Sequence, residues 1–349
     1  MTATLERERT GIPDVSYRHL YRLSDASGLF EHAKLTVPRT EHGYCVDDVA
    51  RGLLVAAREP RPTPRLTRLA RTYLDFVVDA QTPDGRFHNR RGLDLRWEDE
   101  PSLEDCWGRA LWALGTTAAR CPDLAERASV TFETSAGRRS RHPRAMAFAA
   151  LGAAEVLTTR PGHDAARELL ADAAALIGPP ATDRTWSWPE PRLRYANAVL
   201  PEALVAAGSL LGDARVLSDG LEMLAWLLDV ETAGDHLSVT PAGGWGPGEP
   251  RPAFDQQPIE VAALADACAR AADVTGDPRW TIAVVQAAAW FVGDNDARIA
   301  LTDAASGGGC DGLEMNSRNE NQGAESTLAM ISTFQQAHRV GLSASSPVG

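Results

Sequence analysis

Carboxylates recur in this sequence at one kind of place, the start of an apolar, alanine-rich helix. The phrases are Tyr44-Cys45-Val46-Asp47-Asp48, Leu103-Glu104-Asp105-Cys106-Trp107, Asn197-Ala198-Val199-Leu200-Pro201-Glu202, Gln257-Pro258-Ile259-Glu260 and Asn321-Gln322-Gly323-Ala324-Glu325. A sixth, Arg141-His142-Pro143-Arg144-Ala145, has lost its acid. Two carboxyl groups in different surroundings can divide acid–base work, one donating a proton while the other activates water or attacks. A helix start favours the ionised form through its unpaired N–H groups and its dipole, whereas burial favours the protonated form. The candidates are Asp47, Asp48, Glu104, Asp105, Glu190, Glu202, Asp255, Glu260, Glu314 and Glu325. Taken singly, each also reads as a helix cap or first-turn acid, worth about 0.5–2 kcal/mol to the helix. The adjacent pairs Asp47-Asp48 and Glu104-Asp105 exceed what a cap requires. Arg51 and Arg109 follow Asp48 and Asp105 at helical spacing, where a guanidinium can hold a carboxylate ionised and fix its rotamer. Asp48, Asp105, Glu260 and Glu325 are therefore the pool expected to contain acid and base. Glu260 is the expected acid, since it follows the apolar Pro258-Ile259, and Asp48 the expected base or water-positioning group.

The elements that must position these acids follow from the period. The phrases recur at steps of roughly 40–65 residues, enough for an outer helix, an inner helix and their loops. The inner segments are Ala, Leu, Val and Gly on nearly every face and must be buried, while the outer ones carry Arg, Asp and Glu on one side. Helices are expected over 14–34, 44–58, 66–80, 102–120, 123–135, 142–158, 163–177, 195–210, 213–230, 257–274, 278–292 and 321–338. Pro60, Pro62 and Pro64 end the second of these. Three long polar loops, 182–195, 234–257 and 302–322, each precede an acid-bearing inner helix, and loops of that length usually carry function. No βαβ alternation is visible. The expectation is an all-α ring of six helical hairpins with its long loops on one face, filling one domain over 13–340. Residues 1–12 and 341–349 are expected to be tails.

Bulk properties narrow the partners. Of 349 residues 44% are hydrophobic, and 35 basic against 47 acidic residues leave a net charge of −12, which disfavours nucleic acid and anionic membrane. Cys45, Cys106, Cys121, Cys268 and Cys310 are an odd, scattered set and read as small buried hydrophobes rather than a disulfide framework. The charged start Met1-Thr2-Ala3-Thr4-Leu5-Glu6-Arg7 lacks a signal-peptide core and no apolar run spans a membrane, so a cytoplasmic location is expected. No metal or cofactor is expected: Gly307–Gly312 lacks the Lys-Ser/Thr end of a phosphate loop, and Asp294-Asn295-Asp296 lacks the glycine and closing glutamate of a calcium loop. The oligomeric state is left open.

Three phrases carry a resemblance: His42-Gly43-Tyr44-Cys45-Val46-Asp47-Asp48, Gln81-Thr82-Pro83-Asp84-Gly85-Arg86-Phe87, and Asn319-Glu320-Asn321-Gln322-Gly323-Ala324-Glu325-Ser326-Thr327. With the hairpin period they make the chain, over about residues 15–338, similar to the six-hairpin glycosidase superfamily, the (α/α)6 toroid. The resemblance implies an oligosaccharide or glycoside substrate processed at the mouth of the ring, most simply by a glycoside hydrolase whose two carboxyl groups flank the scissile bond. The Gln-x-x-Asp-Gly-x-Phe phrase also looks like a structural turn of α-toroid terpene cyclases, but Asp47-Asp48 lacks a third acid for diphosphate chemistry. Sugar rings present an apolar C–H face that aromatic side chains cover. Tyr44, Trp107, Trp186, Trp188 and Trp245 are expected to serve this way, with His42, Asp47, Gln257, Asn319 and Asn321 meeting hydroxyls. Trp112, Trp226, Trp280 and Trp290 fall at helical positions and read as core. Sugar 2-epimerases of similar architecture use histidines for proton transfer, so His42, His88, His142 and His236 keep a histidine-based epimerase or isomerase open. A non-catalytic sugar-binding toroid is the third reading, since the 145 repeat shows that an acid can be lost without losing the fold.

Overall fold

The computed structural model describes residues 12–344. The expected N-terminal tail falls outside them except for residue 12, as do residues 345–349 of the C-terminal one. Twelve helices are formed among the described residues: α1 (Arg18–Leu23), α2 (Val46–Arg58), α3 (Pro64–Asp79), α4 (Asp105–Arg120), α5 (Ala125–Ala136), α6 (Pro143–Thr159), α7 (Asp164–Ile177), α8 (Val199–Leu211), α9 (Ala214–Val230), α10 (Pro258–Thr275), α11 (Pro278–Phe291) and α12 (Ala324–Ala344). The even-numbered helices form the inner ring. Each packs on the next, and α12 returns to α2 and closes the circle. The odd-numbered helices lie outside, with the short α1 packed against α12, so the two ends of the chain together make the sixth hairpin.

Local chemistry explains the difference between the layers. The inner helices are buried almost residue by residue, α6 over Arg144–Leu157 without interruption, as their apolar composition demands. They approach closely where side chains vanish: a Cβ on Gly115 would lie 2.1 Å from the Gly152 carbonyl, and one on Gly152 would lie 2.1 Å from that of Leu111. The outer helices α3, α7, α9 and α11 begin at side-chain caps, Thr63, His163, Asp213 and Asp277. The inner helices α2, α4, α6, α8 and α10 have no side-chain cap. The acids at their starts are therefore not caps.

A buried ion belt stitches the ring below. Arg58 of α2 meets Asp266 of α10 at 2.8 Å and Ser332 of α12 at 2.9 Å, and Gln336 of α12 donates to Asp266 at 2.6 Å. Arg270 of α10 meets Glu202 of α8 at 3.0 Å and lies 3.6 Å from Glu155 of α6, which Arg120 of α4 reaches at 3.1 Å. Three guanidiniums and three carboxylates thus join five inner helices, and Ser332 and Gln336 tie in the sixth, α12. Removing one partner from such a pair strands a buried charge, at about 3–5 kcal/mol.

The expected helix over 14–34 is largely absent. Asp25 Oδ1 accepts from the N–H groups of Ser27 and Gly28 at 2.7 and 3.0 Å and turns the chain, and a short ladder pairs 33–34 with 37–38. At the other end α12 runs on to Ala344, beyond the expected boundary. The three long loops are not structureless. Leu193 bridges Trp245, Pro241 bridges Gln256 and Gln256 bridges Leu313, so they knit into one layer over the ring.

Candidate active site

Asp47, Asp48, Asp105 and Glu325 come together at the mouth, with Arg51 and Arg109 between them. Arg51 Nη1 contacts Asp48 Oδ1 at 2.5 Å and Nη2 contacts Glu325 Oε2 at 2.6 Å. Burial pushes Asp48 up to about 7 and Arg51 opposes it, and the short contact makes Asp48 the counter-ion of Arg51. Asp47 is the more open of the adjacent pair, its side chain 21% exposed against 4% for Asp48. Asn89 Nδ2 donates to Asp47 Oδ2 at 3.1 Å, while Oδ1 lies 3.7 Å from Arg109 Nε and neither of those two atoms has a hydrogen-bond partner. Burial raises the Asp47 pKa, Arg109 and Arg51 oppose, and neighbouring Asp105 adds to the rise. The Tyr195 hydroxyl donates to Asp105 Oδ2 at 2.7 Å.

The third repeat replaces its lost acid with a cation. Arg144 donates to both oxygens of Glu190 at 2.8 and 2.7 Å, to Asn197 Oδ1 at 3.0 Å and to the Tyr195 carbonyl at 2.6 Å. It pins the 190–197 segment that carries Tyr195 to the mouth. Glu260 does the same from the other side, accepting from Asn197 N–H and Asn197 Nδ2, each at 3.1 Å, and from Ala196 N–H. Ala196 holds φ at +46°, a conformation an alanine adopts only when surroundings impose it. Glu260 is thus spoken for by the loop it shapes. Burial, then neighbouring Glu231, pushes it up to about 8 against these donors.

Two cavities open here. The first, of about 50 Å³, is a shaft along the ring axis with Arg51 and Arg109 near its top, apolar walls including Leu54, Val199, Ala262 and Leu328, and Trp112, Glu202, Asp266 and Ser332 at the floor. The second, of about 200 Å³, lies beside it between Arg194, Tyr195, Thr240, Gly243, Gln257 and Glu260. Four buried polar atoms of residues lining the shaft have no partner in the protein: Arg51 Nε, Arg109 Nε, Trp112 Nε1 and Glu202 Oε2. Buried polar atoms usually find a partner, in the protein or in water, so these four are available to a bound molecule.

The other expected contacts are distributed unevenly. Gln257 lines the second cavity. Trp107 and Trp188 are fully buried and Trp186 nearly so, with Trp186 edge-on to Trp226 and Trp245 at 5.2 Å each. Tyr44 is buried on Phe30 and donates to Asp25 at 2.7 Å. None of these four offers a face to a sugar. His42 is exposed, edge-on to His32. Asn321 accepts from Leu35 N–H at 2.9 Å, and Asn319 from Asn321 N–H at 3.1 Å, so both shape the loop. Glu104 and Asp255 are exposed, and Glu314 bonds Ser317. Trp112, read as core from its spacing, is part of the buried core and also lines the shaft, as does Phe148, whose ring lies 3.9 Å from the Arg109 guanidinium carbon. Neither cavity is lined by a histidine. His88 stacks on Trp97, and His236 meets Asp296 at 2.8 Å.

One metal-like grouping occurs among the described residues: ligand atoms of Glu31, Cys45 and Asp48 lie within 4.8 Å of one another. Arg90 and Arg51 already neutralise its two carboxylates. No helix is long and apolar enough to cross a membrane among the described residues.

No family model matches the sequence, and no curated protein matches it. The fold does have solved counterparts. A sugar epimerase from a ruminal bacterium aligns with a TM-score of 0.69 at 10% identity, covering 97% of this chain and 99% of its own. The cellobiose 2-epimerase of Spirochaeta thermophila gives 0.69 at 13%, covering 97% and 98%. An inactive variant of the α-1,6-mannanase GH76A of Salegentibacter, with two adjacent aspartates changed to asparagine and α-1,6-mannotriose bound, gives 0.61 at 10%, covering 97% and 98%. In fold, this chain is an (α/α)6 toroid like these structures.

Proposed function

We propose that the protein is a carbohydrate-active enzyme, a glycoside hydrolase that cleaves an oligosaccharide or glycoside at the mouth of the toroid. The observation that carries this reading is the convergence of Asp47 and Asp105 on Arg109, a residue that lines the shaft and leaves its Nε unpartnered. Asp47 is the proton donor: one oxygen has no hydrogen-bond partner, and burial raises its pKa. Asp105 is the base or nucleophile, held in place by the Tyr195 hydroxyl, which donates to its Oδ2. Asp48 acts through Arg51, keeping that guanidinium aimed between Asp47 and Glu325. Glu260 acts through the 194–197 turn, and the expected assignment of acid to Glu260 and base to Asp48 is replaced accordingly.

The aspartate pair of the inactive mannanase variant supports the reading, because Asp47-Asp48 is the one adjacent aspartate pair in this sequence. The three epimerases and the mannose isomerase among the structural neighbours favour the rival, which needs a proton shuttle at the sugar's second carbon; no histidine lines either cavity. The test is release of new reducing ends from α-1,6-mannotriose, cellobiose and a panel of aryl glycosides by wild type and by Asp47→Asn. Release by the wild type alone supports the reading, and equal release or none at all contradicts it.

A further inference from the structure

The second cavity is large enough for a sugar ring. A benzene-sized guest needs about 150 Å³, and this cavity holds about 200 Å³. One side chain links it to the acids: Tyr195 is one of its walls, and the Tyr195 hydroxyl donates to Asp105 Oδ2 at 2.7 Å.

Three polar side chains in its lining, Arg194, Thr240 and Gln257, have no hydrogen-bond partner among the described residues. Thr240 is only 1% exposed, and a buried hydroxyl is rarely left so. Gln257 stands at the N-cap position of α10 but does not cap it, so its amide is free. Arg194 differs from its neighbours. Arg144 pairs with Glu190 at 2.7 Å and Arg192 with Glu249 at 2.8 Å, while no described carboxylate lies within ion-pair reach of Arg194. Its backbone is nonetheless fixed, since its N–H donates to Asn197 Oδ1 at 2.9 Å inside the turn that Glu260 shapes.

This lining favours a single negative charge. Glu260, its one carboxyl group, gives both oxygens to N–H donors of Ala196 and Asn197. Gln257 and Glu260 belong to the start of the 18-residue α10, so the positive end of that helix borders the cavity. A guanidinium presents a planar fork that matches a carboxylate. A phosphate ester would bring nearly two charges against one cation.

We propose that the second cavity is a subsite for one ring of an acidic sugar, with Arg194 pairing its carboxylate and Thr240 and Gln257 meeting its hydroxyls, so that the substrate is a glycan containing a uronic acid. The inference rests on the proposal that a sugar is processed at this mouth, and names the class of sugar. A neutral ring still enters, because Thr240 and Gln257 remain, but it leaves the guanidinium unpaired.

The test is binding measured by ligand-observed NMR at pH 7 and constant ionic strength. Two matched pairs are used, glucuronate against glucose and galacturonate against galactose, each differing only at the exocyclic carbon. The chain's net charge of −12 opposes non-specific attraction of acids, so a preference for them reports this site. At least one uronate is expected to bind about tenfold or more tighter than its neutral partner, the size of one charge-assisted hydrogen bond. In Arg194→Gln, an exposed position, the gap is expected to close to under threefold. Thr240→Val is expected to weaken acid and neutral sugars by the same factor. Equal affinities within both pairs, a gap unchanged in Arg194→Gln, no binding by either uronate, or glucose 6-phosphate binding more tightly than glucuronate would overturn the inference. Cleavage is scored separately: an Arg194-dependent uronate preference without bond cleavage keeps the subsite and removes the hydrolase, and cleavage with equal affinities does the reverse.

Discussion

Arg51 of α2 and Glu325 of α12 meet at 2.6 Å although 274 residues separate them. Their contact closes the ring at its mouth, and the same guanidinium holds buried Asp48 at 2.5 Å. Arg51 is thus both the clasp between the first and last inner helices and the counter-ion of an otherwise stranded carboxylate. Arg51→Gln is expected to lower stability by about 3 kcal/mol, the cost of leaving a buried charge unpaired. Urea unfolding measures it, and a loss under about 1 kcal/mol would mean Asp48 is not held as an ion.

Asp47 and Asp105 are assigned the chemistry. Asp47→Asn and Asp105→Asn should each lower kcat/KM by about 10²–10⁴, the usual contribution of a positioned acid or base. Tyr195→Phe removes only the hydroxyl that holds Asp105, and a loss of about tenfold is expected, the size of one charge-assisted hydrogen bond. Initial-rate kinetics on a cleaved substrate decide, with unchanged circular dichroism as the control. A Tyr195→Phe loss exceeding that of Asp105→Asn would reverse the assignment.

Glu260 is assigned to the turn that carries Tyr195. Glu260→Gln places an amide N–H against backbone N–H groups and should cost about 1–3 kcal/mol of stability. The 191–197 segment should also become protease-sensitive. If Glu260→Gln instead keeps full stability and loses activity as completely as Asp47→Asn, Glu260 is the proton donor.

Stability should fall as pH rises past neutrality. Burial pushes Glu202 and Glu231 up to about 7 and Glu260 to about 8, with neighbouring Glu231 adding to the rise of Glu260. An unfolded glutamate releases its proton near 4.3, so between about pH 4.5 and 8 the native state binds more protons than the unfolded chain. Stability that is full below that window is lost as pH climbs through it, by at most about 1.4 kcal/mol per unit for each group. Melting temperatures from pH 5 to 9 should decline, and Glu231→Gln should flatten the decline. A rise across the window would contradict the protonated state of these groups.

The ring was legible in the sequence because burial on every face leaves an unmistakable composition. The expected 142–158 and 213–230 helices became 143–159 and 214–230. The segment 14–34 misled because its apolar residues are buried in an irregular turn fixed by the Asp25 side chain, which periodicity does not register. The acids at the mouth could be located from their place at helix starts. Their partners could not: Tyr195 reaches Asp105 across 90 residues, and Arg144 sits in the repeat that had lost its acid. The loop tryptophans read as open because their loops are polar, yet Trp186 and Trp188 fold down onto Trp226 of α9.

The most direct test of the central claim is proton NMR of the purified protein with α-1,6-mannotriose, cellobiose and their monosaccharides in deuterated water. The account predicts new reducing-end signals, with one anomer appearing first, and no deuterium at the second carbon of any sugar. Deuterium entering that carbon while every glycosidic bond stays intact would contradict it and establish an epimerase or isomerase.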